Sequence, residues 1–188
     1  MMIRRILSAM AILAAGGVAL AQADLSNFPL GTTSMAWRLS GSDVSAPQTL
    51  RLEVTGLEDG RYQVLLSVEA EGTPEELGML GFLGSAAFIQ SAGTNVDLAA
   101  LFTLIKRRER LEVGEEYALP GGVIFHVREE AQVAGVTCLI GEYQTEEGRR
   151  VELGLALSDP VYFVPLLRVH GEGEAVEFEM LLVEYRRP

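Results

Sequence analysis

The chain has 188 residues, 48% of them hydrophobic, and 15 lysines and arginines against 26 aspartates and glutamates, a formal charge of −11. That acidity speaks against a polyanion-binding role, because such a field repels nucleic acid and anionic lipid headgroups while keeping a protein soluble. The one cysteine, Cys138, rules out an internal disulfide, so the fold must be held by its core.

The first 23 residues read as a secretory signal peptide. Arg4 and Arg5 give a basic start, Ile6 to Leu20 is uncharged and apolar, and Ala21-Gln22-Ala23 supplies small residues for cleavage before Asp24. An uncleaved anchor is the alternative, but the run falls short of the ~20 residues of a span and no basic stop-transfer flank comes after it. No cysteine stands at the cleavage point to carry the acyl chains of a lipoprotein. Cleavage leaves 165 of the 188 residues and removes two arginines, for 13 basic against 26 acidic residues and a charge of −13. Residues 24–188 suit a single β-rich domain with a real core. The expected location is periplasmic or extracellular, soluble, with no integral membrane span after cleavage.

Strands dominate the remainder of the chain. Leu50, Leu52 and Val54 alternate with Thr49, Arg51, Glu53 and Thr55, and Glu58-Asp59-Gly60 turns the chain into Tyr62, Val64, Leu66, Val68 and Ala70, with Gln63, Ser67 and Glu69 opposite. An Asp-Gly step between alternating runs is a hairpin signal, since glycine accepts the positive φ of the turn. A short helix over Pro74 to Leu80 is compatible with Glu75 and Glu76 in its first turn. It runs into 77–89, an uncharged apolar stretch with Gly78, Gly81 and Gly84 at three-residue spacing, a glycine density that weakens helix. A clearer helix spans about 94–108. Thr94 and Asp97 form a capping box, Leu98, Leu101, Phe102 and Ile105 make one apolar stripe, and Lys106, Arg107 and Arg108 complement the dipole at its end.

Two more hairpins are legible. Residues 136–143 and 151–157 flank Thr145-Glu146-Glu147-Gly148, and 166–170 and 175–185 flank Gly171-Glu172-Gly173-Glu174. Cys138 falls in the apolar run Val136 to Ile140 and reads as a buried thiol. Val151, Leu153, Leu155 and Leu157 share a face, as do Val176, Phe178, Met180 and Leu182. The face opposite the latter begins acidic at Glu177 and Glu179 and turns apolar at Leu181 and Val183, so part of the sheet is apolar on both sides and needs a cover. These constraints predict a mainly β (α+β) domain, a curved antiparallel sheet or incomplete barrel with the 94–108 helix packed on it.

Chemistry-bearing patterns are few. His126 and His170 lie on separate segments without zinc-ligand spacing, and Glu129, near His126, is expected on the opposite strand face. Neither a G-x-S-x-G elbow nor a G-x-G-x-x-G or phosphate loop occurs. The acid pairs Glu75-Glu76, Glu115-Glu116, Glu129-Glu130 and Glu146-Glu147 could serve acid/base work on sugars or bind calcium, but most sit at turns and read as solvated charge. No catalytic residue, metal ligand or cofactor is assigned. The segment 77–89 reads either as core or as an apolar flap hinged on its glycines, with Tyr162 and Phe163, between Pro160 and Pro165, at the edge of the same opening.

The order of signal peptide, hairpins, crossing apolar helix and final hairpin resembles the exported half-barrel carriers of bacterial envelopes, the LolA/LolB-like proteins. Phe28-Pro29-Leu30-Gly31 followed by Trp37-Arg38 is similar to the start of many uncharacterised exported β-rich domains. The carrier resemblance implies a hydrophobic ligand held between sheet and helix, without catalysis, and transfers no functional residue. The leading expectation is therefore a non-enzymatic envelope protein binding a lipid, another apolar ligand or a lipidated partner through Met79, Leu80, Phe82, Leu83, Phe102, Tyr162 and Phe163. The alternative is a protein–protein interaction module of an envelope assembly, using an exposed edge. A hydrolase with an acidic site assembled from distant residues is the third reading.

Overall fold

The computed structural model describes residues 28–42, 46–73, 104, 110–145, 148–157, 164–171 and 175–188. Its nine strands, in chain order, are β1 (Gly31–Ser40), β2 (Gln48–Gly56), β3 (Tyr62–Ala70), β4 (Glu116–Ala118), β5 (Ile124–Val133), β6 (Val136–Gln144), β7 (Arg150–Ala156), β8 (Leu166–His170) and β9 (Val176–Arg186). They form one open sheet in the order β3-β2-β1-β9-β8-β7-β6-β5-β4. Every neighbouring pair is antiparallel. The last strand thus returns beside the first and joins the N-terminal three-stranded meander β1–β3 to the six-stranded meander β4–β9.

All three hairpins legible in the sequence form. In the β2–β3 turn Gly60, at φ 78°, donates its N–H to the Leu57 carbonyl at 3.0 Å, and Asp59 accepts from the Arg61 backbone and guanidinium at 3.1 and 2.7 Å. The β6–β7 turn repeats the scheme, with Gly148 at φ 80° donating to Thr145. Three strands lack so clear a sequence signal: β1, the short β4, and β5 with its own hairpin into β6. That hairpin closes on the pair Val133↔Val136 with only Ala134 (φ 48°) and Gly135 (φ 80°) between them. Both residues take the positive φ of a tight two-residue turn.

One face of the sheet carries the main core. Phe125, Val127, Leu139, Leu153, Leu155 and Phe178 are buried together there with Leu111 and Leu119 from the connection before β5. Leu104 joins them, helical and 1% exposed. The rest of the helix expected over about 94–108, its stripe included, lies outside the described residues. A second cluster gathers Met35, Trp37, Leu52 and Leu182 with Val136, Cys138 and Ile140, and the Trp37 indole donates to the Val164 carbonyl at 3.0 Å. Ala156, Cys138 and Ile140 face away from Leu139 and Leu155 and are equally buried, so β6 and β7 are apolar on both sides, as the late strands suggest.

Two face assignments are corrected by β-bulges. Val169 pairs with Phe178 but His170 with Val176, leaving Glu177 as the extra residue. Phe178 keeps its place in the core and Val176, expected beside it, is exposed. In β5 the register steps from Val127↔Gly141 to Glu129↔Ile140, with Arg128 extra. Since Glu142 and Ile140 share a face, Glu129 comes to the face of His126, contrary to simple alternation.

Candidate interaction edge and charged face

The β3 strand is the long end of the sheet. It pairs with β2 over nine consecutive residues without a register shift, Gln48↔Ala70 through Gly56↔Tyr62, and no strand among the described residues covers its other side. Its alternation predicts Val64 and Leu66 on a buried face. Instead Val64 is 42%, Leu65 53% and Leu66 49% exposed, the middle residue on one face and its neighbours on the other. The physical reason is position: alternation reports an amphipathic strand, but only a neighbour or a cover buries the apolar side. The usual protections of an edge are a bulge, proline, lysine or shortness, and β3 has none of them. The opposite edge is blunt by comparison, because β4 has three residues and runs into a 3-10 turn at Pro120–Gly122.

A second feature lies on the sheet face opposite the main core. The register aligns Glu142, Glu152, Arg168, Glu179 and Ser40 across β6, β7, β8, β9 and β1. Arg168 donates to Glu179 at 2.6 Å and lies 3.4 Å from Glu152. Arg150 donates to Glu142 at 3.1 Å, and Arg128 holds the other oxygen of the same carboxylate. Burial works against the Arg168 charge, but the hydrogen bond to Glu179 and the two carboxylates together raise its pKa above the ordinary arginine value. The hydrogen bond from Arg128 outweighs burial at Glu142 and, with Arg150, holds its carboxyl below the ordinary glutamate range. His170 is buried in this network, its Nδ1 3.2 Å from Arg150 Nη2. An arginine can only donate, so Nδ1 accepts and the ring proton sits on Nε2, 3.5 Å from Glu152.

Beside this network a cavity of about 500 Å³ opens between β4, β5 and β6, lined by Glu116, His126, Glu142, Gln144, Thr145 and Arg150 with the backbone of Gly121 and Gly122. His126 Nδ1 lies 3.9 Å from Glu116. The lining mixes these polar, largely charge-compensated groups with Val123, Ile124 and Tyr143. A carboxylate held ionised by two guanidiniums is a weak base, so Glu142 is poorly suited to acid–base catalysis. Cys138 is wholly buried and its thiol is pushed up to about 11, with burial as the main cause, so it is an inert core residue. The sequence-derived ligand residues Met79, Leu80, Phe82, Leu83, Phe102, Tyr162 and Phe163 all lie outside the described residues.

Neither the edge nor the ladder stands out in the sequence. Each glutamate and arginine of the ladder reads singly as a solvated strand residue, and only register gathers them. The one available signal is that Glu142, Glu152, Arg168 and Glu179 recur on the solvent side of successive strands.

No family model matches the sequence, and no curated protein matches it. Among solved structures the chain is similar to MucB, at 10% identity and TM-score 0.44 over 93% of this chain and 59% of that one. It is also similar to MucB in complex with MucA(peri), at 9% identity and TM-score 0.43 over 90% and 54%. A third is the MucA/MucB complex of Pseudomonas aeruginosa, at 11% identity and TM-score 0.44 over 89% and 55%. The chain spans a little over half the length of these structures.

Proposed function

We propose that this chain is a non-enzymatic protein-interaction module of a cell-envelope assembly, exported by its N-terminal signal, and that it binds through the outer edge of β3. The observation that carries this reading is a nine-residue edge that no strand among the described residues covers, with Val64, Leu65 and Leu66 exposed on its two faces. Such an edge offers main-chain donors and acceptors for affinity and alternating apolar side chains for specificity, the chemistry of strand addition. The test is native mass spectrometry of the protein purified from its own envelope, wild type beside Leu65→Lys. The expected result is an added polypeptide mass on the wild type that Leu65→Lys loses. An added lipid mass that Leu65→Lys retains would instead support the carrier reading.

The carrier reading draws on one observation, the burial of Leu104 in the main core cluster. Under it Met79, Leu80, Phe82, Leu83, Tyr162 and Phe163 would complete an apolar site.

A further inference from the structure

We infer that the occupant of the β3 edge is a second copy of this chain, paired antiparallel about a two-fold axis at Leu65. The inference rests on the reading of β3 as an interaction edge and names its partner. A two-fold pairing sets each residue of the strand against one equally far on the other side of the axis. Centred on Leu65, it places Leu65 against the second Leu65, Val64 against Leu66, Tyr62 against Val68, and Gln63 against Ser67. One step further out it places Arg61 against Glu69.

Each of these pairs matches in kind. The face of Tyr62, Val64, Leu66 and Val68 meets its own apolar row, and the other face carries an apolar centre, a polar pair and an opposite-charge pair outward in that order. Cross-strand apolar and opposite-charge pairs stabilise a sheet, whereas mismatched or like-charge pairs do not. Moving the axis by one residue, to Leu66, breaks the match by setting Leu65 against Ser67 and Gln63 against Glu69. Among the described residues no strand lies against this edge. Arg61 and Glu69 are exposed, as are Val64, Leu65 and Leu66, and the edge runs without a bulge that would twist it away. The side-chain partner the structure gives Arg61 is Asp59 in its own turn, an exposed pair that yields readily to a second carboxylate. Pairing two edges yields one continuous sheet and removes both long ends, which is how a sheet protein loses an exposed edge by self-assembly.

The register makes this testable by site-specific cross-linking, since Cys138, the one native cysteine, is buried. About a two-fold at Leu65 the two Leu65 Cα atoms face each other at about 4.5–5.5 Å, within the span of a disulfide. The two copies of residue 63 then lie four residues apart, about 14 Å along the strands, beyond the ~7 Å limit. The full secreted chain should sediment as a dimer at high concentration and Leu65→Lys as a monomer, with about tenfold or greater weakening from two cations set face to face. Mild oxidation should cross-link Leu65→Cys and leave Gln63→Cys and the wild type uncross-linked. Circular dichroism of each variant checks the fold, which an exposed position should leave intact.

A wild type that stays monomeric, a Leu65→Cys variant that does not cross-link, or a Gln63→Cys variant that cross-links as fast would each overturn the two-fold pairing. If self-pairing fails while Leu65→Lys still loses a co-purifying envelope protein, only the second copy is wrong. If Leu65→Lys loses nothing from the envelope either, the interaction edge itself is wrong.

Discussion

Ala134 is the residue whose backbone disagrees most with its side chain. At φ 48° it occupies the left-handed region, where a Cβ is penalised and asparagine or glycine is favoured in a two-residue hairpin. Ala134→Asn should therefore raise stability by about 0.5–1 kcal/mol, read as a higher thermal midpoint. The same residue explains why the β5–β6 hairpin is hard to read from sequence, because Ala-Gly is a weaker turn signal than Asp-Gly. Cys138 gives an opposite case. Its thiol is fully buried, its Sγ 3.2 Å from the Val136 carbonyl, so Cys138→Ser should cost about 1–3 kcal/mol by burying a hydroxyl in an apolar setting. Reductant should leave the wild-type thermal midpoint unchanged, and a large drop would expose an intermolecular disulfide. Glu142 supplies the pH dependence. Its folded-state pKa is depressed chiefly by Arg128, so its contribution is complete above the ordinary glutamate value of about 4.3 and disappears as pH falls through the lower folded value. Glu142→Gln should flatten the acid limb of the stability profile, measured by denaturant melts between about pH 2 and 5.

At the scale of elements, packing between β5 and β6 depends on the absence of one side chain. A Cβ on Gly141 would stand 2.3 Å from Phe125 Cζ and 2.7 Å from the His126 carbonyl. Gly141→Ala should lower stability by about 1–3 kcal/mol through overpacking, whereas Gly135→Ala, where a Cβ meets nothing within 4 Å, tests only the φ 80° backbone. The three hairpins are readable because each joins alternating runs through a glycine turn, a local signal. The bulges are not. Arg128 and Glu177 carry no mark in the sequence that they are extra residues, yet they move Glu129 and Val176 to the other face. Register is a property of two strands, and alternation along one cannot report it. For the segments outside the described residues, Phe82→Asp and Phe102→Asp separate flap from core. If 77–89 is a flap, Phe82→Asp weakens uptake of a fluorescent apolar probe and spares the thermal midpoint, while Phe102→Asp destabilises the protein. Equal unfolding by both removes the flap.

At the scale of the molecule, the described residues form an open sheet with one blunt end and one long, apolar end. Its class is legible in the chain, since an antiparallel β-rich domain is implied by the hairpins. The strand that ends the sheet is not, because β3 is left at the edge by the non-local return of β9 to the far side of β1. The candidate site is for this reason a consequence of topology, whereas the residues expected from sequence to bind a ligand reflect local apolar density. The central claim is that β3 receives another strand, and amide hydrogen exchange measures that most directly. The amides of 62–70 that point away from β2 should exchange fast in the isolated monomeric chain and become protected in the assembly recovered from the envelope, while peptides from β1 and β2 stay protected in both. Equal exchange of the 62–70 amides in the two states, with new protection appearing around the β4–β6 cavity instead, would contradict the account.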